Sequence, residues 1–467
     1  MNSDPLGSDK GIAYWLFACS GLVFGMVSLG GLTRLTKSGL SMVEWKPTTF
    51  VPPRTEAEWQ LEFSKYQQFP EYKRVNNQMS LEDFKFIYRM EFYHRLLGRS
   101  LGIAFAVPGL YFLARGRINR ALGARLGVAF LAGGAQGAIG WWMVKSGLEN
   151  PHATQQTGNV HVSPYRLATH LISAFAIYSL LFSTALRVHP STFSQRLIAN
   201  SASHQAVRDL FAQPAVQRLR TLGLVTTVAV AATVFSGAFV AGNEAGLVYN
   251  EFPLMGGRII PEDIISPFIS PTWRNAFENS TMVQFNHRML AMSTTGLILV
   301  TFLTTKRIQK NALISELMSS HVAVRERCQR MARAGHAWIG MAGVQVTLGI
   351  STLLMYVPVS LATLHQAGSL ALLTISLWYY HTLRQPAEIG RLMKTSSRTG
   401  LMGQIGQTLT DLTRGKVHRG TAYLVAALIL SIGLGQQVMA LVKEDHKQSK
   451  QIEAEAVASI QQKQIKQ

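Results

Sequence analysis

Nine apolar runs dominate the chain, at 12–33, 91–113, 121–144, 164–186, 219–242, 283–304, 333–356, 360–382 and 419–442. About twenty helical residues cross a hydrocarbon core, and inside that core every backbone amide must find its partner within its own segment. Runs of this length therefore predict membrane-spanning helices and an all-α integral membrane fold. Charge supports the same reading. Only 15% of the 467 residues are charged, yet the formal net charge is +20. Lysine and arginine gather in short connections such as Arg115 to Arg120, and again across 187–220, 306–330 and 384–416. Retention on the inner side of a membrane explains that distribution, and nucleic-acid binding does not. The N-terminus and the basic loops are expected inside; the long first loop, about residues 34–89, is expected outside.

Cysteine is nearly absent. Cys19 in the first run and Cys328 in a basic loop make neither a disulfide framework nor a thiolate metal site. Met1 to Lys10 contain two aspartates and no arginine, so no cleavable presequence is visible in these residues.

The chain also repeats itself. Ser38-Gly39-Leu40 with Glu44-Trp45, just past the first run, resembles Ala245-Gly246-Leu247 with Glu251-Phe252, just past the fifth. Gln136 to Gly140 resembles Gln345 to Gly349, and Glu91 to Arg95 resembles Gln284 to Arg288. His94 lies 76 positions before His170, and His287 lies 78 before His365. Two tandem four-helix units account for these matches. An even number of spans separates equivalent segments, so the halves share one orientation about a pseudo-twofold axis along the membrane normal. The expected organisation is a short tail (1–11), an N-terminal four-helix bundle (12–186), an inner linker (187–218), a C-terminal four-helix bundle (219–382), a basic inner loop (383–418), an extra transmembrane helix (419–442) and a Lys- and Gln-rich tail (443–467).

His94, His170, His287 and His365 are each expected to enter within about the first two turns of an outside-to-inside helix, at one depth. Intramembrane ionisable groups are costly and mark function. Two imidazoles facing each other across a bundle core suit the axial positions of a haem iron, whose macrocycle supplies the equatorial nitrogens. Zinc or a di-iron centre would need more ligands than two histidines and one carboxylate. The plainer reading makes each histidine an interhelical hydrogen-bond partner; four at matched depth in a duplicated frame favour ligands. The other nine histidines read as solvated or interfacial, although the loop bearing His152 and His161 is placed to cover the first site.

Arg95 and Arg288 each follow a histidine, and each could meet a haem propionate or extend toward headgroups; Arg99 is a weaker candidate of the same kind. Glu91 breaks the symmetry, because its counterpart is Gln284. A carboxylate beside one ligand and an amide beside the other suggests chemistry in the first half alone, with Glu91 exchanging protons. Glu91 could instead serve only to orient His94 or to pair with an arginine.

Gly30-Gly31-Leu32-Thr33-Arg34-Leu35-Thr36, Tyr66-Gln67-Gln68-Phe69-Pro70, Glu91 to Arg95, Ser236 to Gly242, Gln284 to Arg288 and Leu348 to Pro358 together resemble the haem A synthase family in its mitochondrial form, over about residues 12–382. The resemblance implies an oxidoreductase that converts the C8 methyl of haem O to the formyl of haem A, for cytochrome c oxidase, through successive hydroxylations. It implies that His94 and His170 bracket haem O as substrate, that Glu91 is catalytic, and that His287 and His365 bracket a haem b cofactor. The implied setting is the mitochondrial inner membrane, or else a bacterial cytoplasmic membrane. Haem O synthase is the implied upstream partner, homo-oligomers are compatible, and the electron-transfer partner is not encoded legibly. Two features depart from the family. The cysteine pair that some bacterial members carry in the first outer loop has no counterpart here, and the ninth span exceeds the family's eight. The rival readings are a non-enzymatic di-haem b cytochrome relaying electrons and a transporter built from repeats.

Overall fold

A computed structural model describes residues 6–48, 50–149, 152–153, 160–189 and 201–384. Among them, eight helices are long and apolar enough to cross a membrane: Lys10–Leu35, Leu81–Ala114, Arg120–Glu149, Pro164–Val188, Pro214–Gly242, Ser280–Gln309, Val322–Leu354 and Val359–Thr382. They are called here the first to eighth spans, and they make the protein a multi-pass membrane protein. The expected ninth span at 419–442 and the tail beyond it lie outside the described residues.

Local chemistry sets the helix starts. Asp9 caps the first span by accepting from the Ile12 amide at 3.0 Å, and Arg117 pairs with the same carboxylate at 2.6 Å. A reciprocal capping box between Ser80 and Asp83 starts the second span at Leu81, ten residues before its apolar run. That extension is amphipathic. Its Phe84 and Tyr88, with Phe92, pack under Trp59, Phe63 and Tyr66 of the outer helix Glu56–Tyr66. The first long loop, expected on the outer side, thus folds into a cap with its own core, a structure no apolar run announced. It also corrects one expectation: His94 enters about 20 Å along its helix, not within the first two turns.

Within each half the spans pack in a ring, first on second, second on third, third on fourth and fourth on first, with the fifth to eighth repeating the pattern. Between the halves, the fourth span meets the fifth and the first meets the eighth. Exchanging the halves maps one contact onto the other, as a pseudo-twofold axis requires. Polar side chains join the spans where lipid offers no hydrophobic drive. Thr226 bonds Thr301 and Thr233 bonds Thr294, each at 2.8 Å, and the Gln366 amide donates across the half-to-half contact to the Val27 carbonyl at 2.8 Å.

Candidate haem sites

Each of the four histidines lies against a glycine of a neighbouring span. A Cβ on Gly30 would stand 2.8 Å from His94 Cε1, one on Gly140 2.9 Å from His170, one on Gly237 3.1 Å from His287, and one on Gly349 2.8 Å from His365. Only a missing side chain lets these rings sit where they do. The ring Nδ1 atoms are fixed as well. The amide of Gln136 lies 3.1 Å from Nδ1 of His170, and that of Gln345 lies 3.1 Å from Nδ1 of His365. Ser236 donates to the Thr233 carbonyl and so accepts from Nδ1–H of His287 at 2.8 Å. Ser236, by accepting from Nδ1–H, leaves Nε2 of His287 as the free ligand atom. The Gln136 and Gln345 amides, which donate to the His170 and His365 carbonyls as well, fix where those two rings sit. His94 alone departs from the plan. Leu29 stands where Ser236 stands in the other half, and Nδ1 of His94 is buried without a partner among the described residues.

His94 and His170 line one cavity of about 590 Å³, a size that holds a cofactor-sized ligand. His287 and His365 lie within electrostatic reach of each other in the second half. Among the described residues no three of His, Cys, Asp and Glu gather as a metal site. Each imidazole pair would therefore need a macrocycle to complete an iron's coordination, and the glycine clefts that seat all four rings fit that group.

Glu91 is 3% exposed and beside His94 in sequence, but its bonds run elsewhere. One carboxylate oxygen accepts from Arg95 at 2.6 Å; the other accepts from the Ser41 hydroxyl at 2.7 Å and the Met42 amide at 2.8 Å. In the second half the polarity inverts, because Gln284 donates to the Ala245 and Tyr249 carbonyls at 2.8 and 3.1 Å. The arginines are held in parallel fashion. Arg95 donates to the Met42 and Glu44 carbonyls, and Arg288 to those of Leu254 and Tyr249. Arg99 donates to the Lys46 carbonyl. All three therefore tie outer loops to spans. Arg95 and Arg99 also line the first cavity.

His161, expected to be solvated or interfacial, instead lines this cavity on a short antiparallel hairpin, His152–Ala153 with Val160–His161. It stands 3.4 Å from Glu244 and holds that carboxyl below its ordinary range. The glycines, Ser236 and the glutamines escaped functional assignment from sequence. The Gln136–Gly140 and Gln345–Gly349 match was visible as a repeat, and the spacing of four that puts amide and glycine on one helix face was the available signal. Cys19 and Cys328 are buried free thiols.

Fold and site together define a class: a multi-pass membrane protein of two equivalent four-helix bundles, each carrying two histidines seated against glycines of neighbouring spans. Comparison with known proteins narrows it. The chain belongs to the COX15-CtaA family, described as cytochrome oxidase assembly protein, whose match spans residues 13–377. It is 47% identical over 383 residues to the heme A synthase COX15 of Arabidopsis thaliana, covering 81% of this chain and 76% of that protein. It is 43% identical to the heme A synthase of Nitrosospira multiformis, covering 81% of this chain and 94% of that protein. Identity to the human heme A synthase COX15 is also 43%, over 81% of this chain and 84% of that one.

Proposed function

We propose that the protein makes haem A by oxidising the C8 methyl of haem O to a formyl group, with His94 and His170 holding haem O and His287 and His365 holding haem b. Haem A synthesis for cytochrome oxidase is the activity of its family; the proposal adds the oxidative chemistry and the division of labour between the halves. The observation that carries the division is the exchange of Glu91 for Gln284 inside otherwise matching surroundings. A bound haem b would supply one-electron transfer. The side chains supply the rest. Glu91, fixed by three donors, lines the cavity that would hold the substrate, where a preorganised polar group counts most. The Ser236 bond to His287 makes that ligand permanent and electron-rich, as a resident cofactor needs. His94, lacking such a bond, is the more weakly fixed ligand, as a substrate that must leave requires. The setting we propose is the mitochondrial inner membrane, with haem O synthase upstream.

Pigment extraction from cells expressing Glu91→Gln tests the reading. Haem A should be lost while haem O or its alcohol accumulates. Normal haem A in that variant would favour a di-haem cytochrome that only relays electrons.

A further inference from the structure

A second acid is buried in the N-terminal cavity. Glu71, on the short outer helix Pro70–Arg74, is 7% exposed and lines the same cavity as Glu91, His94 and His170. Its backbone carbonyl accepts from the Val75 and Asn76 amides, a turn that tucks the side chain under the cap. Its carboxylate accepts from the Tyr66 hydroxyl at 2.9 Å, and the same hydroxyl accepts from the Asn76 amide at 2.8 Å.

The surrounding charges are few. Lys37, on the turn after the first span, attracts Glu71 from the exposed rim, and Glu91 repels it from the second span. His161, on the hairpin packed against this helix, is engaged by Glu244. Lys145 and Glu149 of the third span pair with each other at 3.4 Å, half exposed. Burial therefore dominates and pushes the Glu71 carboxyl up to about 7, with the charge on Glu91 adding to the rise and the Tyr66 bond opposing it. Glu91 differs in kind, since one of its three donors is a guanidinium.

We propose that Glu71 is the proton-exchanging acid of the N-terminal cavity, taking protons released during substrate oxidation and passing them to outer water past Asn76 and Lys37, while Glu91 stays bound to Arg95, Ser41 and Met42. This rests on reading that cavity as the substrate site. The step is a proton transfer only. A proton leaving a hydroxyl or water in the cavity joins a Glu71 oxygen, the acid returns it to water at the rim, and no electron passes through it.

The test uses the full chain in detergent or membranes, following conversion of haem O against pH. In the wild type, conversion should rise as Glu71 ionises near neutral pH. Glu71→Gln should remove that limb and slow conversion at least about tenfold. Tyr66→Phe, which removes the donor that stabilises the anion, should move the limb to higher pH. Infrared difference spectra should show a protonated carboxyl band titrating near neutral pH, absent from Glu71→Gln and retained in Glu91→Gln. An unchanged limb in both Glu71→Gln and Tyr66→Phe, or a band lost only with Glu91→Gln, overturns the proposal. If Glu91→Gln abolishes haem A while those outcomes hold, only the relay fails. If Glu91→Gln makes haem A normally, the substrate-site reading fails with it.

Discussion

Gly349→Ala adds one methyl group where the seventh span passes the ring of His365. That carbon would stand 2.8 Å from Cε1, so the ring must retreat about 0.6 Å to reach ordinary contact at 3.4 Å. A shift of that size exceeds the roughly 0.5 Å within which a ligand group must be held, and an off-rotamer escape costs about 0.5–1.5 kcal/mol. Weakening of the axial bond adds to this, so haem retention should fall at least about tenfold, equivalent to about 1.4 kcal/mol. Gly343→Ala is the control. It lies on the same span with open space around it, so the change there should be neutral or stabilise the helix by up to about 1 kcal/mol. Gly237→Ala should fall between the two, because its Cβ would meet His287 at 3.1 Å, where a few tenths of an ångström suffice. The assay is haem per purified chain together with the reduced-minus-oxidised band. If Gly349→Ala retains as much haem as Gly343→Ala, with an unaltered band, the glycine does not seat the ligand and the assignment of His365 loses its support.

Other expectations follow from the same geometry. Ser236→Ala should remove the acceptor on Nδ1 of His287 and raise the midpoint potential of the second-half haem by tens of millivolts, on the order of one lost hydrogen bond; an unchanged redox titration would count against that bond. His287→Ala should erase the b-type spectrum while porphyrin still binds between His94 and His170, and emptying of both sites by this one change would show that the halves are not independent. Glu71 binds its proton more tightly folded than unfolded, so between about 4.5 and 7 the folded state should lose stability as pH rises, by up to about 3 kcal/mol. Thermal unfolding of Glu71→Gln from pH 5 to 8 should lack that slope, and an identical slope in both proteins would place the cause elsewhere.

Much of the fold was legible because a membrane imposes a one-dimensional code. Each span must close its own hydrogen bonds and cover itself with apolar side chains, so length and composition alone located the eight described spans, and the repeat showed that they come in two sets of four. The four histidines were legible for the same reason, since polar groups stand out against an apolar run. Their supports were not. Gly140 and Gly349 looked like ordinary helix glycines until a ring was found pressed on each, and Ser236 and Leu29 differ in a way that matters only beside an imidazole.

The sequence by itself determined how many described helices are fit to cross, that they fall into two matching sets, and which residue of each matched pair is acidic. Tertiary structure alone decided that the first long loop folds into a cap, that Glu71 is buried beside the cavity, that Glu91 accepts from Ser41 and Met42, and that His161 meets Glu244. The physical reason is distance along the chain. A span is specified by contacts within a few turns, whereas the capping cluster and the polar partners join segments tens of residues apart, and no local periodicity records which loop will close over which helix.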